Sequence, residues 1–225
     1  MFERYAVFFT PEPSDFAAFG AAWLGWDSAA GKTVPHPDVS GLDVEVLTST
    51  PRKYGFHATL KAPFRLRDGA TEAELIDHAE RFACEQPCAA SDGLKLVYQH
   101  GFLALRPEGN VTQLNMLAGQ IVCGFELMRA PLREADIARR RRARLSARQD
   151  AQMLEWGYPF VFEDFHFHMT LSGRISGDMA EYVMPILQDR AQRVAPRPFV
   201  VDGITIMGED SDGLFHQVHR VKLAG

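Results

Sequence analysis

The order strand, helix, hairpin occurs twice in this chain, and each occurrence opens on a strand carrying His-x-Thr. Gly55-Phe56-His57-Ala58-Thr59-Leu60 opens the first copy and Phe167-His168-Met169-Thr170-Leu171 the second. Counted from each histidine, the second strand of the hairpin is reached at Phe102 in one copy and Phe215 in the other, intervals of 45 and 47 residues. Two units of similar length and order, about residues 55–106 and 164–223, predict one α+β domain over 1–225, made of two similar antiparallel-sheet lobes with helices on the outside.

Local signals fill in the units. Arg4 to Thr10 reads as a strand stopped by Pro11 and Pro13, and Ser14 or Asp15 caps a helix carrying Phe16, Phe19, Trp23 and Trp26. Residues 28–41 read as a loop. Thr71-x-x-Glu74 is a capping box that opens a helix to about Cys84, and a hairpin follows over 93–99 and 101–106. Thr112 to Met128 keeps helical spacing of apolar residues, Ser146-x-x-Gln149 caps a helix ending near Gly157, and Phe165 to Ser172 reads as a strand. Asp178 opens a helix towards Val194 that Pro185 would kink, and a last hairpin spans 199–207 and 214–223.

Side chains alternate along a strand, so His57, Thr59 and Lys61 share one face while Phe56, Ala58, Leu60 and Ala62 share the other. His168, Thr170 and Ser172 likewise oppose Phe167, Met169 and Leu171. The apolar rows serve packing, which leaves two faces that each present an imidazole with a hydroxyl two residues on. Histidine both takes and gives a proton near neutral pH. Displacement at phosphorus uses that ability twice, since the nucleophile loses a proton on one side as the leaving oxygen gains one on the other. Thr59 and Thr170 are placed to donate to the non-bridging oxygens. The scheme calls for neither metal nor cofactor.

With their flanks, Pro51-Arg52-Lys53-Tyr54-Gly55-Phe56-His57-Ala58-Thr59-Leu60-Lys61-Ala62-Pro63-Phe64, and Trp156-Gly157-Tyr158-Pro159-Phe160 followed by Phe165-His166-Phe167-His168-Met169-Thr170-Leu171, the motifs resemble the two-histidine phosphoesterase superfamily. Within it they resemble a bacterial family associated with phosphonate catabolism. The resemblance implies a bilobal fold with a pseudo-twofold axis and both motifs facing a central cleft. It implies metal-independent phosphodiesterase chemistry in which His57, Thr59, His168 and Thr170 match the four motif positions. It also implies a small cyclic phosphodiester as substrate, such as the cyclic ribose phosphate of phosphonate breakdown.

Candidate substrate-binding residues are Tyr54, Lys61, Arg52 and Ser172, with Arg174 a weaker one. His216 and His219 are three residues apart, so strict alternation places them on opposite strand faces and at most one in the cleft. His166-x-His168 could begin a metal site, but no third ligand follows closely. The Arg139 to Arg144 cluster reads as a solvated helix face, with a phosphate or RNA patch as the alternative. With 24 basic against 29 acidic residues the net charge is -5, which disfavours long nucleic acid but not a small phosphorylated partner. An apolar fraction of 46% excludes a mainly disordered chain. Three cysteines in no paired pattern point to a reduced, cytoplasmic protein, and no apolar run is long enough for a membrane span. Two alternatives stay open: an RNA end-processing 2',3'-cyclic phosphodiesterase, and a non-catalytic module binding a nucleotide or phosphorylated metabolite.

Overall fold

The computed structural model describes residues 2–224. In chain order the elements are β1 (Arg4–Phe9), α1 (Asp15–Leu24), β2 (Trp26–Asp27), β3 (Lys32–Thr33), α2 (Val44–Thr48), β4 (Ala58–Phe64), α3 (Glu72–Ala83), β5 (Ala89–Ser91), β6 (Gly93–Gln99), β7 (Phe102–Glu108), α4 (Thr112–Gly124), α5 (Glu134–Arg141), α6 (Ala147–Trp156), β8 (Met169–Thr170), α7 (Gly177–Gln192), β9 (Phe199–Val201), β10 (Gly203–Glu209) and β11 (Phe215–Lys222). The fold class is the α+β expected, with every pairing in its main sheet antiparallel.

Seven strands form that sheet in the order β11-β10-β1-β4-β8-β7-β6. Its two halves are the lobes, β11 to β4 and β8 to β6, and the two His-x-Thr strands β4 and β8 are their inner edges. They meet at the pair Ala58↔Met169, so the lobes share one sheet. The copies are also interleaved. Hairpin β6–β7 of the first copy pairs with β8 of the second, while hairpin β10–β11 of the second reaches β4 of the first through β1. Neither copy can therefore complete a lobe alone.

The sheet's apolar face supplies Val7, Ala58, Leu60, Leu105, Met169 and Ile206 to one continuous core, which Phe16, Trp23, Leu75, Leu117, Ile121 and Val183 of α1, α3, α4 and α7 close from the helix side. The capping box opens α3 as expected: the Thr71 hydroxyl accepts from the Glu74 amide, and Glu74 accepts from the Thr71 amide. A second one opens α6 at Ser146 and Gln149, and Gly157 closes that helix in the left-handed region. Both satisfy helix-end groups that otherwise lack partners.

The arginine cluster lies partly on a helix, as read, with Arg139 to Arg141 on α5 and Arg142 and Arg144 beyond its last turn. Three expectations change. The helix from Thr112 ends at Gly124 and a short tight turn, Glu126–Met128, follows. Helix α7 is capped by Ser176 rather than Asp178 and runs through Pro185 to Gln192. The strand expected over Phe165–Ser172 is reduced to Met169–Thr170, because the chain before it turns through Phe162–Asp164 and pairs with β7 only at Thr170 and Met169. Among the described residues no helix is long and apolar enough to cross a membrane.

Candidate active site

The pair Ala58↔Met169 fixes the site. Both side chains point into the core, so their neighbours point to the opposite face. Carried one residue in each direction, the antiparallel register sets His57 across from Thr170 and Thr59 across from His168. The two histidines thus occupy one diagonal of a square and the two threonines the other. Cross-strand neighbours stand about 5 Å apart and diagonal ones about 7 Å, which leaves room for a phosphate between the imidazoles. All four side chains are half-buried.

Each imidazole is oriented in the same way. His57 Nδ1 lies 2.9 Å from the Gly55 carbonyl and His168 Nδ1 lies 2.7 Å from the His166 carbonyl, in both cases two residues upstream. A carbonyl only accepts, so Nδ1 carries the proton and Nε2 is left for the cleft. His57 Nε2 meets the Thr59 hydroxyl at 3.1 Å. Gly55 makes the first arrangement possible. Its φ of 70° turns the chain back, and a Cβ there would stand 2.8 Å from the Ser28 hydroxyl.

Phe8, on the neighbouring strand β1, stacks on His57 with ring centroids 3.9 Å apart. Burial accordingly pushes the His57 pKa down to about 4; the Gly55 hydrogen bond opposes this and the His168 charge adds to it. His168 is lowered too, by burial first, against its hydrogen bond to His166, with Arg106 and His166 contributing. His57 is therefore neutral at pH 7 in the free protein. Among the described residues no group of three or more His, Cys, Asp or Glu side chains converges to hold a metal ion.

Of the four candidate substrate-binding residues, Tyr54 joins the site. Its ring lies 5.7 Å from that of His57 and stacks on Phe215 at 5.0 Å. The other three are engaged elsewhere. Lys61 was expected on the face of His57, but an extra residue in β4 between the pairs Phe8↔Thr59 and Val7↔Lys61 turns it away. Its buried ammonium donates to the Val122 carbonyl at 2.8 Å and to Glu126 at 2.9 Å. Arg52 donates to the Leu24 carbonyl and to Glu45, which ties α1 to α2. Ser172 is buried, accepting from the Leu103 amide and donating to the Gly173 carbonyl.

His216 and His219 also depart from strict alternation. A register shift in β11 pairs them with Gly208 and Ile206, which share a face away from the histidine pair. His216 bonds Asp210, and His219 faces Glu80 of α3. Of the α5 arginines, Arg139 and Arg141 pair with Asp136 and Asp150 at the exposed surface. Arg140 instead lies over the Tyr158 ring, 5.0 Å from its centroid.

Arg106 was not singled out from sequence. The pairs Ala104↔Thr170 and Leu105↔Met169, carried one residue further, place it across from His168 on the site face. It is a cation beside His168, and its guanidinium donates to Gln99. Alternation along the hairpin, Phe102, Ala104, Arg106, held the signal. It required knowing which strand the hairpin would pair with.

A family model described as "Protein of unknown function (DUF1045)" matches residues 59–216. A "Ribose 1,5-bisphosphate phosphokinase PhnN" of Janthinobacterium sp. (strain Marseille) is 38% identical over 231 residues, covering 99% of this chain and 51% of that protein. One of the same name from Laribacter hongkongensis (strain HLHK9) is 38% identical over 178 residues, covering 76% and 40%. The chain thus spans about half or less of the curated relatives it matches. Similar solved structures include TT0787 of Thermus thermophilus, at 17% identity with TM-score 0.45 over 99% of this chain and 98% of that one. Another is E. coli LigT complexed with NADP+, at 12% identity with TM-score 0.44 over the full length of both. Likenesses below a TM-score of 0.5 add nothing to the fold or chemistry described above. The family match spans more than half of the chain and includes the second His-x-Thr motif, and the chain belongs to the DUF1045 family.

Proposed function

We propose that this chain is a two-histidine phosphodiesterase that opens a small cyclic phosphodiester. The observation that carries the reading is the square of His57, Thr170, His168 and Thr59 set up by the Ala58↔Met169 register. A phosphate seated over it has an imidazole Nε2 on each side along one diagonal and a hydroxyl on each side along the other.

His57, with its pKa held near 4, is the base. Water gives its proton to His57 Nε2 as its oxygen attacks phosphorus. The bond from phosphorus to one ring oxygen breaks, and that oxygen takes a proton from His168 Nε2. The products are a phosphomonoester and a free hydroxyl. His168 must be protonated to act, and the bound phosphate's negative charge, beside which it sits, raises its pKa for that purpose. Thr59, Thr170 and Arg106 hold the non-bridging oxygens. Phe8, Tyr54 and Phe215 form an apolar wall for a sugar or base.

The substrate we favour is a ribose 1,2-cyclic phosphate. Both curated relatives carry a name for phosphorylation of ribose 1,5-bisphosphate, and this chain spans about half of the first. A kinase phosphate loop reads G-x-x-x-x-G-K-[ST]; here Gly31-Lys32-Thr33 is preceded at the required position by Trp26. We therefore place the named kinase activity in the half of those relatives that this chain does not span. Opening a 5-phosphorylated ribose 1,2-cyclic phosphate at the 2-oxygen yields ribose 1,5-bisphosphate, so the two halves would act in succession. Such work suits a cytoplasmic protein with its cysteines free, as Cys84, Cys88 and Cys123 are.

Phosphorus NMR of purified protein with ribose 1,2-cyclic phosphate, its 5-phosphate and nucleoside 2',3'-cyclic phosphates tests the reading. Conversion of a ribose cyclic phosphate to a monoester is expected. Preference for the nucleoside compounds would assign RNA ends instead, and no turnover of any would contradict the reading.

A further inference from the structure

A second recess lies between β4 and the segment 129–132 and is lined by Arg4, Lys61, Arg65, Arg129, Arg139 and Arg140. The carboxylates paired with these cations are three. Glu209 takes Arg4, Glu126 takes both Lys61 and Arg129, and Asp136 takes both Arg65 and Arg139. Six cations thus face three carboxylates, and among the described residues Arg140 has none. Its Nε is buried without a hydrogen-bond partner. Burial works most against its charge, relieved by Tyr158 and by Asp136, which Arg65 and Arg139 already engage, and made worse by Arg139 and Arg4. An arginine cannot shed that charge, so a concave surface with surplus guanidinium calls for an anion. The planar fork of Arg140, which lies over the Tyr158 ring, suits a phosphate.

Arg4, at one side of this recess, shares a sheet face with Phe8 and so with the histidine pair. Arg4 stands four residues along β1 from Phe8, about 13 Å of strand, and Phe8 stacks on His57. Between them, Arg4 pairs with Glu209, whose strand partner Phe215 carries the Tyr54 ring that also borders His57. A phosphorylated sugar that occupies both places must bridge that span.

We propose that the recess is a second phosphate subsite, in which Arg140 binds the remote phosphate of a substrate whose reacting phosphodiester lies over His57 and His168. The proposal rests on the phosphodiesterase reading for its substrate, but phosphate binding tests it separately. Inorganic phosphate is titrated by calorimetry into the His57→Asn/His168→Asn protein, alone and with Arg140→Gln or Arg141→Gln added. Gln keeps the packing on Tyr158, and Arg141, exposed on the same helix, is the control. Tenfold or greater weakening by Arg140→Gln with no change from Arg141→Gln supports the subsite; equal binding in all three overturns it.

Kinetics supply the second arm. With histidines intact, Arg140→Gln should lower the ratio of kcat/KM for the 5-phosphorylated ribose cyclic phosphate to that for the unphosphorylated one by at least tenfold, mainly through KM. An unchanged ratio overturns the subsite while leaving the phosphodiesterase intact. Failure of wild-type protein to open either compound would count against the phosphodiesterase, and the phosphate titration would still decide the subsite.

Discussion

A histidine that commits its Nδ1 proton to a carbonyl two residues back has only Nε2 left for chemistry, and both His57 and His168 do this. Replacing either by Ala should lower turnover of the true substrate by two to four powers of ten, the order expected for loss of a proton-transfer partner. Steady-state rates with thermal melting as a fold check would measure this, and near wild-type turnover by either variant would remove it from the mechanism. The low pKa of His57 also has a consequence for stability. Between about pH 6.5 and 4 an unfolded histidine is protonated while folded His57 is still neutral. The unfolded state therefore binds more protons in that window, and stability falls as pH drops through it, by up to about 3 kcal/mol. Urea midpoints from pH 7.5 to 4.5 should show that slope, and His57→Asn should flatten it.

At the scale of elements, strand β4, the capping boxes of α3 and α6 and the hairpin β6–β7 were legible because each is written in local spacing. Alternation located His57, Thr59, His168 and Thr170 on their faces because no irregularity falls inside either motif. It failed at Lys61 and at His216 with His219, where β4 and β11 each carry an irregular register that an isolated strand does not announce. Arg106 was hidden for another reason, since its face became meaningful only once β7 was seen to flank β8. The same distinction predicts opposite phenotypes for two proposed contacts. Tyr54→Ala should raise KM several-fold with little effect on melting, because its ring borders His57 and Phe215. Ser172→Ala should cost about 1–3 kcal/mol by stranding the buried Leu103 amide, with KM held near wild type. Denaturation curves beside Michaelis curves distinguish the two; a raised KM in Ser172→Ala would return it to the binding site.

For the whole molecule, the duplication foretold two lobes, but not that they would share a sheet or exchange hairpins. Both follow from a long-range pairing between β4 and β8 that sequence spacing does not encode. That single seam brings the two motifs together, so the proposed chemistry would belong to neither copy alone. The square it creates contains imidazoles and hydroxyls without a carboxylate, which predicts turnover unchanged by EDTA and not raised by zinc or manganese. A chelator-sensitive rate would point instead to His166 with His168.

The paired acid and base are tested most directly by leaving-group rescue. Rates on a cyclic phosphodiester, whose leaving alkoxide needs a proton, are compared with rates on a nitrophenyl phosphodiester, whose leaving group does not, for wild type, His57→Ala and His168→Ala. His168→Ala should recover much of its loss on the nitrophenyl compound while His57→Ala should not, because only His168 supplies the leaving-group proton. Equal rescue of both variants, or of neither, would contradict the assignment of one histidine to each side of the phosphate.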